Sequence, residues 1–278
     1  MITMMPLLDV RDLSLVYPSR RTLLGTNTGA RRAVDGVSFA IHAGETLALV
    51  GESGSGKSSL ARAILRLVEP TSGTILFDGA DLMALDRPAL RRVRRHLQIV
   101  FQDPGPALNP RMTAAALIRE GIDAHNIARG VEADDRVARL LDEVGLCRAD
   151  GTRYPHEFSG GQRQRIAIAR ALAVEPKLIV LDEAVSALDV TVQAQVTELL
   201  AGLQRDHGLS YLFIAHNLAL VERIATRVAV MYFGRIVEHG TVAQLYASPT
   251  HPHTRALLDA VPVPDPRRHA TSIVRDRL

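Results

Sequence analysis

The chain has 278 residues, 47% of them hydrophobic and 23% charged, with a formal net charge of +3. That length can bury a substantial core, and so small a net charge makes no general case for a nucleic-acid partner. A single cysteine, Cys147, rules out an internal disulfide and reads most simply as a small buried hydrophobe. No stretch approaches the roughly 20 consecutive apolar residues that cross a bilayer. Met1–Asp12 lacks the basic start and long apolar centre of a secretory signal, so a cytoplasmic location is expected.

In chain order, the first hundred residues open with β-rich segments. Leu13–Val16 reads as a strand ending at Tyr17, and Arg20–Arg32, polar and arginine-rich, as a surface loop between strands. Thr46–Val50 is a continuous apolar run, the mark of a strand buried on both faces. Gly51, Glu52, Ser53, Gly54, Ser55, Gly56, Lys57 and Ser58 follow, matching Gly-x-x-x-x-Gly-Lys-Ser/Thr at every fixed position. Ser59–Leu67 then reads as a helix with Leu60, Ile64 and Leu67 as its apolar residues. Strand, glycine-rich turn and helix make a phosphate site. Backbone N–H groups curl around phosphate oxygens, the helix start adds partial positive charge, Lys57 reaches the outer phosphates and Ser58 is placed to hold Mg²⁺. Lys57 and Lys177 are the two lysines of the chain. A compact ammonium suits a point contact to phosphate better than a planar guanidinium does.

Arg87–His96 carries Leu90, Val93 and Leu97 at helical spacing, so its arginines read as the solvated side of an amphipathic helix. No aromatic side chains interleave with them, which argues against a nucleic-acid patch. From Asp103 to about Arg170 the chain turns helical, with helices over Ala114–Ile127 and Val131–Val144 and a third beginning at Ser159. Leu178–Leu181 is a second buried strand, so Asp182 and Glu183 emerge at its carboxyl end, where ligands bind in open parallel sheets. Asp182 is expected to hold the magnesium shell and Glu183 to orient the attacking water. Val192–Arg205 places Val196, Leu199, Leu200 and Leu203 on one helix face and stops at Gly208. Strands at Tyr211–Ala215 and Val228–Phe233 complete the sheet. There is no internal repeat, and one phosphate loop is present.

Phe158-Ser159-Gly160-Gly161-Gln162, followed by Arg163 to Leu172, closely resembles the signature motif and helix of ATP-binding cassette (ABC) proteins. The resemblance implies an α/β phosphate-loop NTPase core of ABC type, over about 7–250, with an antiparallel β subdomain and a helical subdomain inserted at about 103–170. It implies that Ser159, Gly160, Gly161 and Gln162 hold the γ-phosphate of an ATP carried by an opposite protomer, while Tyr17 and Gly51 to Ser59 bind the chain's own nucleotide. Tyr17 resembles the aromatic that stacks on adenine, although a tyrosine at a strand end also suits packing. Gln102 resembles the glutamine that contacts magnesium and the attacking water and moves with the membrane partner. Ser186, Ala187, Leu188 and Asp189 resemble the loop by which one protomer senses the other's site, and His216 the histidine that contacts the γ-phosphate. Glu183, His216 and Gln102 are thus the catalytic set, and Ser58, Gln102 and Asp182 the magnesium set. Asn217 and Ala184 stand where the family usually has aspartate and proline, and neither departure removes a phosphate or metal contact.

Flanking segments resemble the peptide and nickel importer branch: Leu108 to Thr113, Arg153 to Glu157, Asp189 to Gln195, and the tail from Ser248 to Leu258. The resemblance is closest to the second ATPase subunit of oligopeptide and dipeptide importers. It implies a peripheral protein on the cytoplasmic face of the inner membrane, paired with a second ATPase subunit, same or related, and two transmembrane permeases. An external solute-binding protein would deliver a peptide; nickel or glutathione is the alternative cargo. A soluble ABC ATPase acting on ribosomes or DNA is a further alternative. The extension over 251–278 has no four-thiolate set, so no iron–sulfur cluster is expected, and His251 and His253 carry no assigned role.

Overall fold

The computed structural model describes residues 5–18, 30–216 and 218–260. Strands β1 (Leu8–Tyr17), β2 (Arg31–Ile41) and β3 (Thr46–Val50) lead into helix α1 (Lys57–Ile64). After β4 (Ser72–Phe77), β5 (Ala80–Asp81), α2 (Arg87–Arg94) and β6 (Leu97–Val100) come the helices α3 (Ala114–Ala124), α4 (Gly130–Glu143) and α5 (Gly160–Leu172). The chain then runs through β7 (Leu178–Asp182), α6 (Val190–His207), β8 (Ser210–Ala215), α7 (Leu218–Ile224), β9 (Arg227–Tyr232), β10 (Arg235–Thr241), α8 (Val242–Ala247) and α9 (Pro252–Asp259). Asn217, most of the loop expected over Arg20–Arg32, and the tail beyond 260 lie outside the described residues. Arg31 and Arg32, assigned to that loop, open β2 instead.

The strands form a four-stranded antiparallel sheet, in the order β2-β1-β4-β5, and a six-stranded sheet, β10-β9-β3-β8-β7-β6. The second is parallel apart from β10, which returns antiparallel along β9. Strand pleating turns successive side chains to opposite faces, and the central strands use both. Leu47, Leu49, Val180, Leu212 and Ile214 join the antiparallel sheet and α1 in one core. Ala48, Val50, Ile179, Leu181 and Phe213 face the other, which includes residues of α3, α4, α5 and α6. A fully buried leucine or phenylalanine contributes about 1.5–3 kcal/mol, so both faces are strongly specified.

Register fixes where the site lies. Val50 sits opposite Ala215, and Asp182 opposite Ile214. Gly51, Glu183 and His216 therefore leave the sheet at the same carboxyl edge, although distant in sequence.

Several local readings are corrected. Helix α1 starts at Lys57 and ends at Ile64, because Arg66 turns left-handed with φ 50°, and Leu67 is 47% exposed. Leu97 belongs to β6, so α2 keeps Leu90 as its buried residue. Cys147 is exposed and not buried: its N–H and Sγ donate to Asp150 Oδ2 at 3.0 and 3.2 Å, which ties it to a surface turn. Phe158 is buried, with the Arg153 guanidinium 4.3 Å above its ring.

The phosphate loop is wedged between β2 and β9. A Cβ on Gly51 would lie 2.2 Å from Met231 O, and one on Gly56 (φ 112°) 2.2 Å from Ala33 O. The turn after β9 adds a clamp: Gly234 N–H donates to Ser55 O at 2.9 Å, and Asp35 N–H to Gly234 O at 2.8 Å. Gly44 shares a positive φ of 75° but has nothing within 4 Å of its would-be Cβ. Gly44→Ala should therefore cost about 1–2 kcal/mol, the strain alone. Gly56→Ala should cost at least twice that in urea unfolding, since backbone must also move; equal costs would refute the wedge.

Candidate active site

Lys57 is the first residue of α1 and only 4% exposed. Its Nζ donates to the carbonyls of Gly51 and Glu52 at 2.8 and 2.9 Å, so the ammonium is held inside the curl of its own loop. Burial pushes its proton affinity below the ordinary lysine value, while Glu183, Asp182 and Glu52 nearby oppose that shift. Asp182, also 4% exposed, accepts a hydrogen bond from Ser58 Oγ at 2.8 Å. Its burial pushes the carboxyl upward against that hydrogen bond and the charge of Arg62.

Glu183 follows at the strand end with φ 50°, a backbone conformation that costs a non-glycine residue about 1–2 kcal/mol. Two hydrogen bonds hold it there: its N–H donates to Ile214 O at 3.1 Å, and Ser186 Oγ donates to its carbonyl at 2.8 Å. The strain turns its carboxylate to the same edge as His216, whose Nδ1 lies 3.8 Å from Glu183 Oε2. Observed strain at a candidate site is a pointer to function.

Tyr17, Ser53, Gly54, Gly56, Lys57, Ser58, Ser59, Gln102 and Glu183 line one cleft of about 310 Å³. The Tyr17 hydroxyl lies 3.4 Å from Ser59 Oγ. Arg31 and Ala33 also line it, and Arg31 donates to Gly54 O at 3.4 Å. The sequence singles out neither: Arg31 falls in the expected loop and Ala33 just beyond it, and only their place in β2 brings them to the cleft. The residues fit a polyphosphate with a divalent cation. Ser55 Oγ is buried with no hydrogen-bond partner in a turn where backbone N–H groups and Lys57 supply positive charge. Ser58 and Asp182 supply hard oxygen ligands for Mg²⁺, which suits a cation that keeps several waters and borrows phosphate oxygens. Among the described residues no cluster of three or more His, Cys, Asp or Glu offers a self-contained metal site.

Ser159 caps α5: its Oγ accepts from Gln162 N–H at 3.3 Å, and Gln162 Oε1 accepts from Ser159 N–H at 3.0 Å. A Cβ on Gly161 would lie 2.5 Å from Val192 Cγ1 of α6, and one on Gly160 3.8 Å from Leu188 Cδ2, so this helix start packs against α6 and the Ser186–Asp189 loop. Asp189 in turn caps α6 by accepting from Val192 N–H at 2.9 Å. Residues 159–162 do not line the phosphate-loop cleft.

Residues 34–186 match the family model described as ABC transporter. The chain belongs to that family. It is 52% identical over 263 residues to the glutathione import ATP-binding protein GsiA of Pectobacterium atrosepticum, covering 95% of this chain and 42% of that protein. Against the protein of the same name in Escherichia coli O6:H1 it is 54% identical over 263 residues, with the same coverage. The cassette thus spans about two fifths of the length of these relatives. Its fold resembles a dimeric post-hydrolysis state of the ATP-binding cassette MJ0796 bound to ADP and Pi, with TM-score 0.75 and 26% identity over 84% of this chain and 98% of that one. It also resembles cbiO1 of Clostridium perfringens, part of the ABC transporter complex cbiONQ, with TM-score 0.74 and 29% identity over 87% of this chain and 91% of that one.

The left-handed backbone at Glu183 yields a stability test within the cassette. Glu183→Gly and Glu183→Ala both delete the carboxylate, but glycine alone releases the strain. The glycine variant should be more stable by about 1 kcal/mol in urea titration. An equal or less stable glycine variant would show that the strain is not stored there.

Proposed function

We propose that this cassette hydrolyses ATP as the nucleotide-binding subunit of an importer for small peptides across the cytoplasmic membrane. The observation that carries the reading is the convergence of Lys57, Ser58, Glu183 and Gln102 on one cleft, with Asp182 bonded to Ser58, while Ser159–Gln162 lie outside it. One half of a phosphate clamp is built here, and the other half faces elsewhere. Two cassettes, a second copy or a related chain, close head to tail, so each ATP lies between Lys57 and Glu183 of one and the Ser159 helix start of the other. The dimeric neighbour bound to ADP and Pi supports the pairing of two cassettes.

In the closed pair, Tyr17 stacks on adenine and the amides of Gly51 to Ser59 wrap the phosphates. Lys57 exchanges its own loop carbonyls for phosphate oxygens. Ser58, Asp182 and Gln102 would hold Mg²⁺, which neutralises phosphate charge. Glu183 orients a water for attack on the γ-phosphorus and takes its proton; the bond to the β-phosphate oxygen breaks, leaving ADP and phosphate. His216 contacts the γ-phosphate, and Ser186, Ala187, Leu188 and Asp189 relay its state to the partner. The contacts between the γ-phosphate and the Ser159 helix start of the opposite cassette exist only in the closed pair, so their loss reopens it.

Two permeases are the partners that such motion would drive, fed by an external solute-binding protein. A second cleft of about 340 Å³, lined by Ile99, Phe101, Leu108, Gly121, Ala167 and Val174 among others, lies beside Gln102 between the sheet and α3 and α5. Its mixed lining, apolar side chains beside Gln98, Glu120, His125 and Arg170, suits an amphipathic permease segment. No helix among the described residues is long and apolar enough to cross a membrane. Relatives named for glutathione import favour a short peptide or glutathione as cargo over nickel.

Glu183→Gln decides the chemistry. The variant should bind Mg-ATP as tightly as the parent, lose at least about 100-fold in turnover, and accumulate as a closed pair on gel filtration. Full hydrolysis by Glu183→Gln would remove Glu183 from this role. Recruitment to membranes holding its permease, in place of co-sedimentation with ribosomes or DNA, tests the import assignment.

A further inference from the structure

The helix of the C-terminal extension reaches back to the phosphate loop. Glu238 of β10 seats it, accepting hydrogen bonds from Thr250 N–H and Oγ at 2.8 and 2.9 Å and from His251 N–H at 3.0 Å. Although burial raises the Glu238 carboxyl, these hydrogen bonds hold it down at about 2, so the seat is charged at neutral pH. His251 caps α9, its Nδ1 accepting from His253 N–H at 3.1 Å. His253 is 9% exposed, its ring 4.1 Å from that of Tyr232, the last residue of β9. Its Nδ1 lies 3.8 Å from Glu52 Oε1.

Glu52 is the second residue of the phosphate loop. Its carbonyl accepts from Lys57 Nζ, and its carboxylate helps keep that ammonium charged. The ring of His253 thus sits between a rigid strand end and the one loop residue that touches Lys57 through both its backbone and its charge. We propose that α9 braces the phosphate loop and that His253 is a positioning residue, holding Glu52 so that the loop is already shaped for a triphosphate. The inference rests on the ATP-binding reading above. A loop held in its bound form loses less freedom when ligand arrives, so the brace acts on affinity.

The test measures binding of the fluorescent analogue mant-ATP, with Mg²⁺, to the full chain, and the melting temperature of each variant alongside. His253→Ala and Glu52→Ala should each weaken binding roughly tenfold, and the double variant should lose no more than either single one, because both break the same link. His253→Ala binding within about twofold of the parent would overturn the brace. So would independent losses that multiply to about 100-fold in the double variant, since His253 would then act by another route. If His253→Ala does not fold, Glu52→Ala decides: its side chain is 66% exposed, and unchanged affinity would overturn the proposal. A parent chain that binds no mant-ATP overturns the nucleotide reading and the brace with it, whereas a parent that binds beside an unaffected His253→Ala removes the brace alone.

Discussion

A lysine and an aspartate sit together at the carboxyl end of a parallel sheet, each 4% exposed, with Glu183 beside them. Burying such charges costs several kcal/mol per ion, and only close, fixed partners offset that. Every other feature of the site follows from the requirement. Lys57 finds two loop carbonyls and Asp182 finds Ser58, so neither charge is left bare. The partners come from two segments, the phosphate loop after β3 and the end of β7, which are held together through β8 in one register.

Two cores meet at that sheet, and each controls a different part of the site. The core under the antiparallel sheet fixes the phosphate loop through α1, β2 and β9. The core on the helical side carries α5 and the Ser159 cap, and α5 touches α6 through the close approach of Gly161 and Val192. The Ser186–Asp189 loop lies between Glu183 and that contact, bonded to the one through Ser186 and packed on the other through Leu188. The start of α5 and the strained Glu183 backbone are thus joined by a continuous series of contacts.

Much of this was legible in the amino-acid sequence, for identifiable reasons. Thr46–Val50 and Leu178–Leu181 read as strands because both faces are buried, which removes any polar alternation that could mislead. The phosphate loop was readable because its glycines are demanded by backbone approach at Ala33 and Met231. Other features had no local signal. Strand β10, Arg235–Thr241, is an edge strand with no buried residue, and its composition does not separate it from a loop. The left-handed turn at Glu183 depends on Ile214 and Ser186, and nothing at residue 183 announces it. Cys147 followed the general preference of cysteine for burial until a turn carrying Asp150 offered it a surface acceptor. The meeting of His253 with Glu52 arises from the seating of α9 on β10, which pattern reading cannot place.

The two lysines make a natural pair of chemical reporters. Lys177 is 48% exposed and ion-paired with Asp78 on the surface, whereas Lys57 is enclosed and shares its protons with carbonyls. Between these two amines, an acylating reagent would modify Lys177 readily and Lys57 only in molecules whose loop has opened. The ratio of the two adducts would then read out, by mass spectrometry on unmodified protein, how often the cradle breathes.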